Sequence, residues 1–268
     1  MKHTLLILFV FLIGVYAQIH DILVRDILVR VRPVYITSNP QPLRLLKHVF
    51  YINLSHRTDR NQHFIEEMKQ LNDLIEYYNL GSPIHPERIE AVNNPSNGAI
   101  GCTMSHIRCI ELAKQRNLPY VCIFEDDVMF TQPKLFLTRL KRFEEEFDAK
   151  WDVLLLGAHI TRRKWYREQS YCQQVYNAST TTAYIVQQHY YDTLLENFKS
   201  GLHLFQTTGD KRKYPIDIYW KRLQTRDRWY ALTPITITQY DNYSDIRGST
   251  SKLRPLFLML GISSEWLN

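Results

Sequence analysis

From Tyr120 to Asp127 the chain reads YVCIFEDD, an apolar run that stops against three consecutive acids. Tyr120 to Phe124 has the composition of a strand buried in a parallel sheet. Glu125, Asp126 and Asp127 then repel one another and destabilise a fold unless water, a base or a cation neutralises them. Ligands of open α/β sheets collect at the carboxyl ends of strands, which is where these acids fall. Alternate side chains of an extended segment point the same way, so Glu125 and Asp127 are expected to share a target. Oxygen donors of this kind suit a hard divalent cation, Mg²⁺ or Mn²⁺. The plain alternative is an acidic strand end facing water or capping the next helix.

The flanking sequence repeats the strand-and-helix theme. His48 to Leu54 is a compact β-type run, followed by a polar break and a helical stripe of Phe64, Met68, Leu71, Ile75 and Tyr78 that Gly81 would stop. Between Gly98 and Leu118, Cys102, Ser105, His106, Cys109, Leu112 and Ala113 share one helical face. Pro133 opens a helix with the stripe Phe136, Leu140, Phe143 and Phe147. Strands are expected at Trp151–Gly157, Thr182–Val186 and Trp229–Ile237, and a helix at His189–Lys199. Strands alternating with helices predict an α/β fold, and no shift of composition divides the chain after Leu45.

Two further segments carry candidate chemistry. In Asn53-Leu-Ser-His-Arg-Thr-Asp-Arg60, between a strand and a helix, an Asn and two arginines are placed to grip a phosphate or a base. The alternative is a helix start capped by Thr58 or Asp59, with solvated arginines. In Asn97-Gly-Ala-Ile-Gly-Cys-Thr-Met-Ser-His106, Gly98 and Gly101 permit close backbone approach. Here His106 either contacts a ligand or satisfies a core hydrogen bond. The sequence has no HExxH, GxSxG, P-loop or Rossmann GxGxxG, which removes the common zinc proteases, serine hydrolases and dinucleotide enzymes.

Composition bounds the rest. The chain has 268 residues, 45% hydrophobic and 22% charged, with a net charge of +6. That excludes a disordered or polytopic membrane protein. The basic balance suits an anionic ligand, but no Lys/Arg block with interleaved aromatics argues for nucleic acid. Residues 1–17 read as a secretory signal peptide, or as a signal anchor if retained, since the apolar run is short for a bilayer span. Residues 18–44, with the tandem DILVRDILVR, read as a stem, and 45–268 as one domain. The expected location is the lumen of the secretory pathway or outside the cell, with membrane contact only through a retained leader. Cys102, Cys109, Cys122 and Cys172 show no metal spacing, and free buried thiols are expected for at least two. Sequons stand at Asn53, Asn177 and Asn242, of which Asn177 is the expected glycosylation site.

In this order the blocks resemble glycosyltransferase family 25, which includes lipooligosaccharide glycosyltransferases and procollagen galactosyltransferases. Val49 to Arg60 is similar to the family's opening strand and NL-x-x-R-x-x-R loop. Gly98 to His106 is similar to its G-x-x-G-C-x-x-S-H helix start, and Val121 to Val128 to its strand and EDD motif. Asp152 to Gly157, Thr182 to Val186, Pro215-Ile-Asp-Ile-Tyr219 and Gln239 to Ile246 resemble later blocks. The resemblance implies a GT-A type nucleotide-sugar-binding sandwich with a mostly parallel central sheet. It implies an inverting, metal-dependent transfer of a sugar from a nucleotide-sugar donor, UDP-galactose as first guess, to a glycan or protein acceptor. By the same resemblance Glu125 and Asp127 are metal-side residues. Asp126, Asn53, Arg57, Arg60, Ser105 and His106 lie on the donor side. An inverting displacement needs a base for the acceptor hydroxyl, with Asp217 first and Asp245 second. Asp245 is alternatively part of the metal shell, and Asp217 a helix cap. The procollagen enzymes are longer and end in a retention tail that Ser264-Glu-Trp-Leu-Asn268 does not match.

Two other readings compete. One is a catalytically silent glycan- or protein-binding module on the same scaffold, since fold does not fix function. The other is a metal-dependent phosphohydrolase, disfavoured because no second acid/His cluster of the two-metal kind is present.

Overall fold

The computed structural model describes residues 42–166 and 171–241, with the backbone of 243–244 and 249–250. The leader, the stem up to residue 41, Asn242 and Asp245 lie outside the described residues.

The chain builds a six-stranded sheet in the order β2-β1-β3-β6-β5-β7. Its strands are β1 (Val49–Asn53), β2 (Glu87–Glu90), β3 (Tyr120–Glu125), β5 (Val153–Trp165), β6 (Cys172–Gln187) and β7 (Trp229–Leu232). β1 pairs in parallel with β2 and β3, and β5 with β7, whereas β6 runs antiparallel to β3, β5 and β7. All strands but β6 thus share one direction, and the sheet is mostly parallel, as expected. β4 (Val128–Phe130) pairs outside this sheet with β8 (Ile237–Gln239), and β9 (Tyr243–Ser244) with β10 (Ser249–Thr250).

Period-two alternation splits the strands between two cores. Tyr51, Cys122, Phe124, Leu154 and Ile185 face one side, packing with α1 (Thr58–Tyr77) through Phe64, Met68, Leu71 and Ile75, and with α3 (Pro133–Glu146) through Phe136, Leu140 and Phe143. Phe50, Ile52, Val121, Ile123, Leu155 and Tyr184 face the other, packing with α2 (Gly98–Gln115) and α4 (Tyr191–Thr208). Both faces are covered by helices, so the strands are apolar throughout rather than alternating with polar residues.

Local signals set the helix ends. Asn97 Oδ1 accepts the Ala99 N–H at 3.2 Å and caps α2. Pro133 opens α3, and Gly209, left-handed at φ 66°, ends α4. After α1 the first left-handed residue is Asn79 (φ 51°); Gly81 (φ 124°) follows two positions later and is not itself the stop. Two short helices, α5 (Ile216–Tyr219) and α6 (Lys221–Gln224), precede β7.

Three strand boundaries differ from expectation. The expected strand Trp229–Ile237 is two strands, because Pro234 has no N–H for a ladder and the chain leaves the sheet after Leu232. β5 and β6 run far beyond the expected cores to form a long hairpin. Its extension, Thr161-Arg-Arg-Lys-Trp165, is polar and largely exposed, so no apolar period marks it. β3 has a parallel neighbour on one side only.

The four cysteines are free, and Cys109, Cys122 and Cys172 are buried. Among the described residues no helix is long and apolar enough to cross a membrane. Of the sequons, Asn53 is buried, while Asn177 sits in β6 opposite Arg162, half-buried with a buried Oδ1.

α2 approaches the β2–α2 loop so closely that a Cβ at Gly101 would lie 2.4 Å from the Val92 carbonyl oxygen. Gly101→Ala is therefore expected to lower unfolding free energy by about 1–3 kcal/mol, measured by the urea midpoint.

Candidate functional site

The acids after β3 leave the strand at once. β3 ends at Glu125, Asp126 and Asp127 form a turn, and β4 begins at Val128. Strand alternation therefore does not set the directions of Glu125 and Asp127 relative to one another; the turn does.

Asp126 faces the β1–α1 loop. Asn53 Nδ2 donates to its Oδ2 at 2.7 Å and Arg60 Nη1 to its Oδ1 at 2.9 Å. Asn53 is buried at the end of β1, where its Oδ1 accepts from Arg88 Nε at 2.9 Å and its Nδ2 also reaches the Arg57 carbonyl at 3.1 Å. Arg60, in the first turn of α1, also lies 3.2 Å from Asp127 Oδ2. Arg57 is bound to Asp59 through Nε and Nη2, at 2.9 and 2.8 Å. Burial raises the Asp126 carboxyl above its ordinary range against the pull of Arg60 and Asn53.

Asp127 has the least compensated charge. Its Oδ1 is buried with no hydrogen-bond partner. Burial first, then the neighbouring Glu125, pushes its carboxyl up to about 8, with Arg60 opposing. An orphaned carboxylate oxygen beside further acids is the chemistry a hard cation completes. The residues present therefore fit a divalent ion, with Asp127 as the side chain that has an oxygen to give.

Glu125 is engaged on both oxygens. Its Oε1 accepts from Thr181 Oγ1 at 2.6 Å and lies 3.3 Å from His106 Nε2, and its Oε2 accepts from Gln239 Nε2 at 3.1 Å. Burial raises the Glu125 carboxyl, but the His106 hydrogen bond and charge, Thr181 and Arg60 outweigh it and leave it below the usual range. His106 is fully buried, with Nδ1 3.0 Å from Tyr184 Oη. Ser105 does different work: its hydroxyl donates to the Gly101 carbonyl at 2.7 Å and accepts the Val92 N–H at 2.8 Å, fixing the loop that enters α2.

Asp217 lies in the first turn of α5, whose cap is Pro215. It is thus not the helix cap. Its Oδ2 accepts the Thr180 N–H at 3.0 Å. Burial, with Glu125 nearby, raises its carboxyl above the ordinary range. Thr180 is left-handed at φ 68°, a strained conformation for a β-branched residue.

Glu125, Asp126, Asp127, Asn53, Arg60 and His106 thus form one connected cluster, and Asp217 joins it through Thr180 and Thr181. Arg57 touches it through its carbonyl, which accepts from Asn53 Nδ2, and Ser105 fixes the loop that enters α2. The sequence reading missed Thr181, Tyr184, Arg88 and Gln239. The blocks of the resemblance include Tyr184 and Gln239, with Thr181 one place before one of them, but nothing in their residue type announced a role.

A family model described as glycosyltransferase family 25 (LPS biosynthesis protein) matches residues 46–208. A Haemophilus influenzae protein named "Putative glycosyltransferase" is 35% identical over 92 residues, 31% of this chain and 33% of that protein. A human protein named "Inactive glycosyltransferase 25 family member 3" is 29% identical over 128 residues, 41% of this chain and 21% of that protein. The chain thus matches no more than a third of the length of either relative. Among solved structures, a Drosophila β-1,4-galactosyltransferase 7 variant in complex with manganese, UDP-Gal and xylobiose gives a TM-score of 0.39 at 11% identity, over 77% of this chain and 75% of that one. The glycosyltransferase GlyE of Streptococcus pneumoniae gives 0.41 at 6% identity, over 85% and 62%. Scores this low carry no function across.

The Asp127 carboxyl is raised, so the stabilisation from keeping it neutral is complete below its unfolded value of about 4 and is lost as pH rises through about 8. Between about pH 5 and pH 9, Asp127→Asn is expected to lose less melting temperature than the parent chain in metal-free buffer. Parallel melting curves for the two would disprove this account of the charge.

Proposed function

This chain belongs to glycosyltransferase family 25, and on that premise we propose that it is a divalent-metal-dependent inverting glycosyltransferase. The donor is a nucleotide sugar, with UDP-galactose the first candidate, and the acceptor a hydroxyl of a glycan or protein. The observation that carries the proposal is the buried Asp127 carboxylate, with an unpartnered oxygen, at the carboxyl end of β3.

In this reading Asp127 holds the ion, which would stabilise the negative charge developing on the leaving diphosphate. Asp126 is held by Asn53 and Arg60, which keeps the turn in place. Once a cation balances the acids, Arg60 is a candidate to reach a donor phosphate as a charge-assisted donor. Glu125, fixed by Thr181, His106 and Gln239, contributes a carboxylate beside the sugar, where positive charge develops in an oxocarbenium-like transition state. Asp217 removes the acceptor proton. Its raised carboxyl brings its basicity closer to working pH, and the Thr180 N–H fixes one of its oxygens. Asp245 remains the second candidate base. A secretory location is part of the proposal and is supported by residues 1–17 alone.

A second reading has a specific observation behind it: the human relative is named inactive. In that reading the same scaffold binds a glycan or protein without transferring sugar.

A donor screen separates the two. The chain without residues 1–17 is expected to release nucleotide from one sugar donor with Mn²⁺ and not with EDTA. Folded protein that neither binds nor turns over any donor would favour the silent module. Asp127→Ala is expected to abolish transfer, and unchanged turnover in a folded variant would sink the assignment. Asp217→Asn is expected to lower kcat by about 10²-fold or more with little change in donor affinity, as loss of a general base does. Equal losses in both would make Asp217 a binding residue.

A further inference from the structure

Cys102, His106 and Glu125 converge on one point from two elements. Cys102 and His106 sit one turn apart on the same face of α2, and Glu125 ends β3 opposite them. From Glu125 Oε1, His106 Nε2 is 3.3 Å away and Cys102 Sγ 4.0 Å. All three donor atoms lie within 4.8 Å of one another. A tetrahedral zinc ion, with bonds of about 2.0–2.3 Å, sets its ligand atoms about 3.3–3.8 Å apart. A small contraction of the cluster therefore suffices.

The surroundings match those of a metal's supporting shell. The His106 nitrogen that faces away from the cluster is 3.0 Å from Tyr184 Oη. Glu125 is oriented by Thr181 on Oε1 and Gln239 on Oε2. Partners of this kind fix the ring and the carboxylate of a metal ligand. The proposed sugar transfer uses neither the Cys102 thiol nor the His106 lone pair.

We propose that Cys102, His106 and Glu125 form a zinc site with three protein donors and a fourth position open to water or a ligand oxygen. Thiolate and imidazole select zinc over the harder Mg²⁺ and Mn²⁺, so this centre differs in kind from the oxygen site at Asp127. Binding releases the Cys102 thiol proton to solvent. It also requires neutral His106 with its hydrogen on Nδ1, facing Tyr184, so that Nε2 presents its lone pair. Zinc there would clamp α2 to β3 and hold Glu125 in place. The site stands on donor geometry alone, whether the chain transfers sugar or is silent.

The test uses the full chain, stripped with EDTA, dialysed and titrated with Zn²⁺ or Co²⁺. Equimolar zinc is expected to remain after desalting, measured by elemental analysis. Cobalt is expected to give a thiolate charge-transfer band in the near ultraviolet. Cys102→Ser should abolish the band and weaken zinc binding by about 100-fold or more, while Tyr184→Phe should keep the band and weaken binding by about 10-fold. In the parent chain zinc should also protect Cys102 from alkylation, a readout that needs no variant. Absence of retained zinc, a band that survives Cys102→Ser, or alkylation indifferent to zinc would each overturn the site. Mn²⁺-dependent donor binding, measured separately, tells failure of this site from failure of the transferase reading.

Discussion

Negative charge at the end of a buried strand has to be neutralised from within, and the region around β3 is organised by that constraint. Glu125, Asp126 and Asp127 draw donors from almost every direction. Asn53 comes from β1, Arg60 from α1, His106 from α2, Thr181 from β6 and Gln239 from β8. Each element is therefore tied to Glu125 or Asp126 by a polar contact to a carboxylate as well as by its apolar face. Such bonds are worth more than neutral ones, and breaking one leaves a buried charge exposed to the full desolvation cost. Asp127 is where compensation falls short, since Arg60 is shared with Asp126 and Asp127 Oδ1 has no partner. A fold that leaves one such deficit has room for a cation.

The far side of the cluster is held by strain. Thr180, β-branched and left-handed, sits in a backbone conformation that costs on the order of 1–3 kcal/mol. Its N–H is fixed by Asp217 and its neighbour Thr181 by Glu125. The register of β5 against β6 shifts repeatedly over this region, which frees β6 from a regular ladder where the site needs it irregular. The strained residue thus couples α5, which has too short an apolar face to dock by itself, to the acids of β3. Local strain is offset by two buried carboxylate hydrogen bonds, and the same arrangement brings Asp217 into the neighbourhood of Glu125.

How far the sequence carried this depended on the kind of signal. Apolar period was reliable: the stripes Phe64–Met68–Leu71–Ile75 and Phe136–Leu140–Phe143 are the buried faces of α1 and α3. β2, with the sequence ERIE, escaped notice because only Ile89 is buried in an edge strand. The hairpin extension of β5 and β6 escaped for the same reason. In the site, charged residues were legible because a cluster of acids or arginines is conspicuous anywhere. Thr181, Tyr184 and Gln239 were not, being ordinary strand residues until the sheet closes around Glu125.

The sequence by itself determined the α/β class, the two helical core faces, the strand end where the acids lie, and the family, through motifs in order. These are properties of periodicity and of residue type, which local chemistry reports. Only the tertiary structure decided what each acid does. It put Asp126 with Asn53 and Arg60, Glu125 with His106 and Thr181, and left Asp127 an oxygen without a partner. It also paired Arg57 with Asp59, and Ser105 with the Gly101 carbonyl and the Val92 N–H. The physical reason is that burial and partnership are set by contacts between residues dozens of positions apart, and the energy of a carboxylate is fixed by those contacts rather than by its neighbours in the chain.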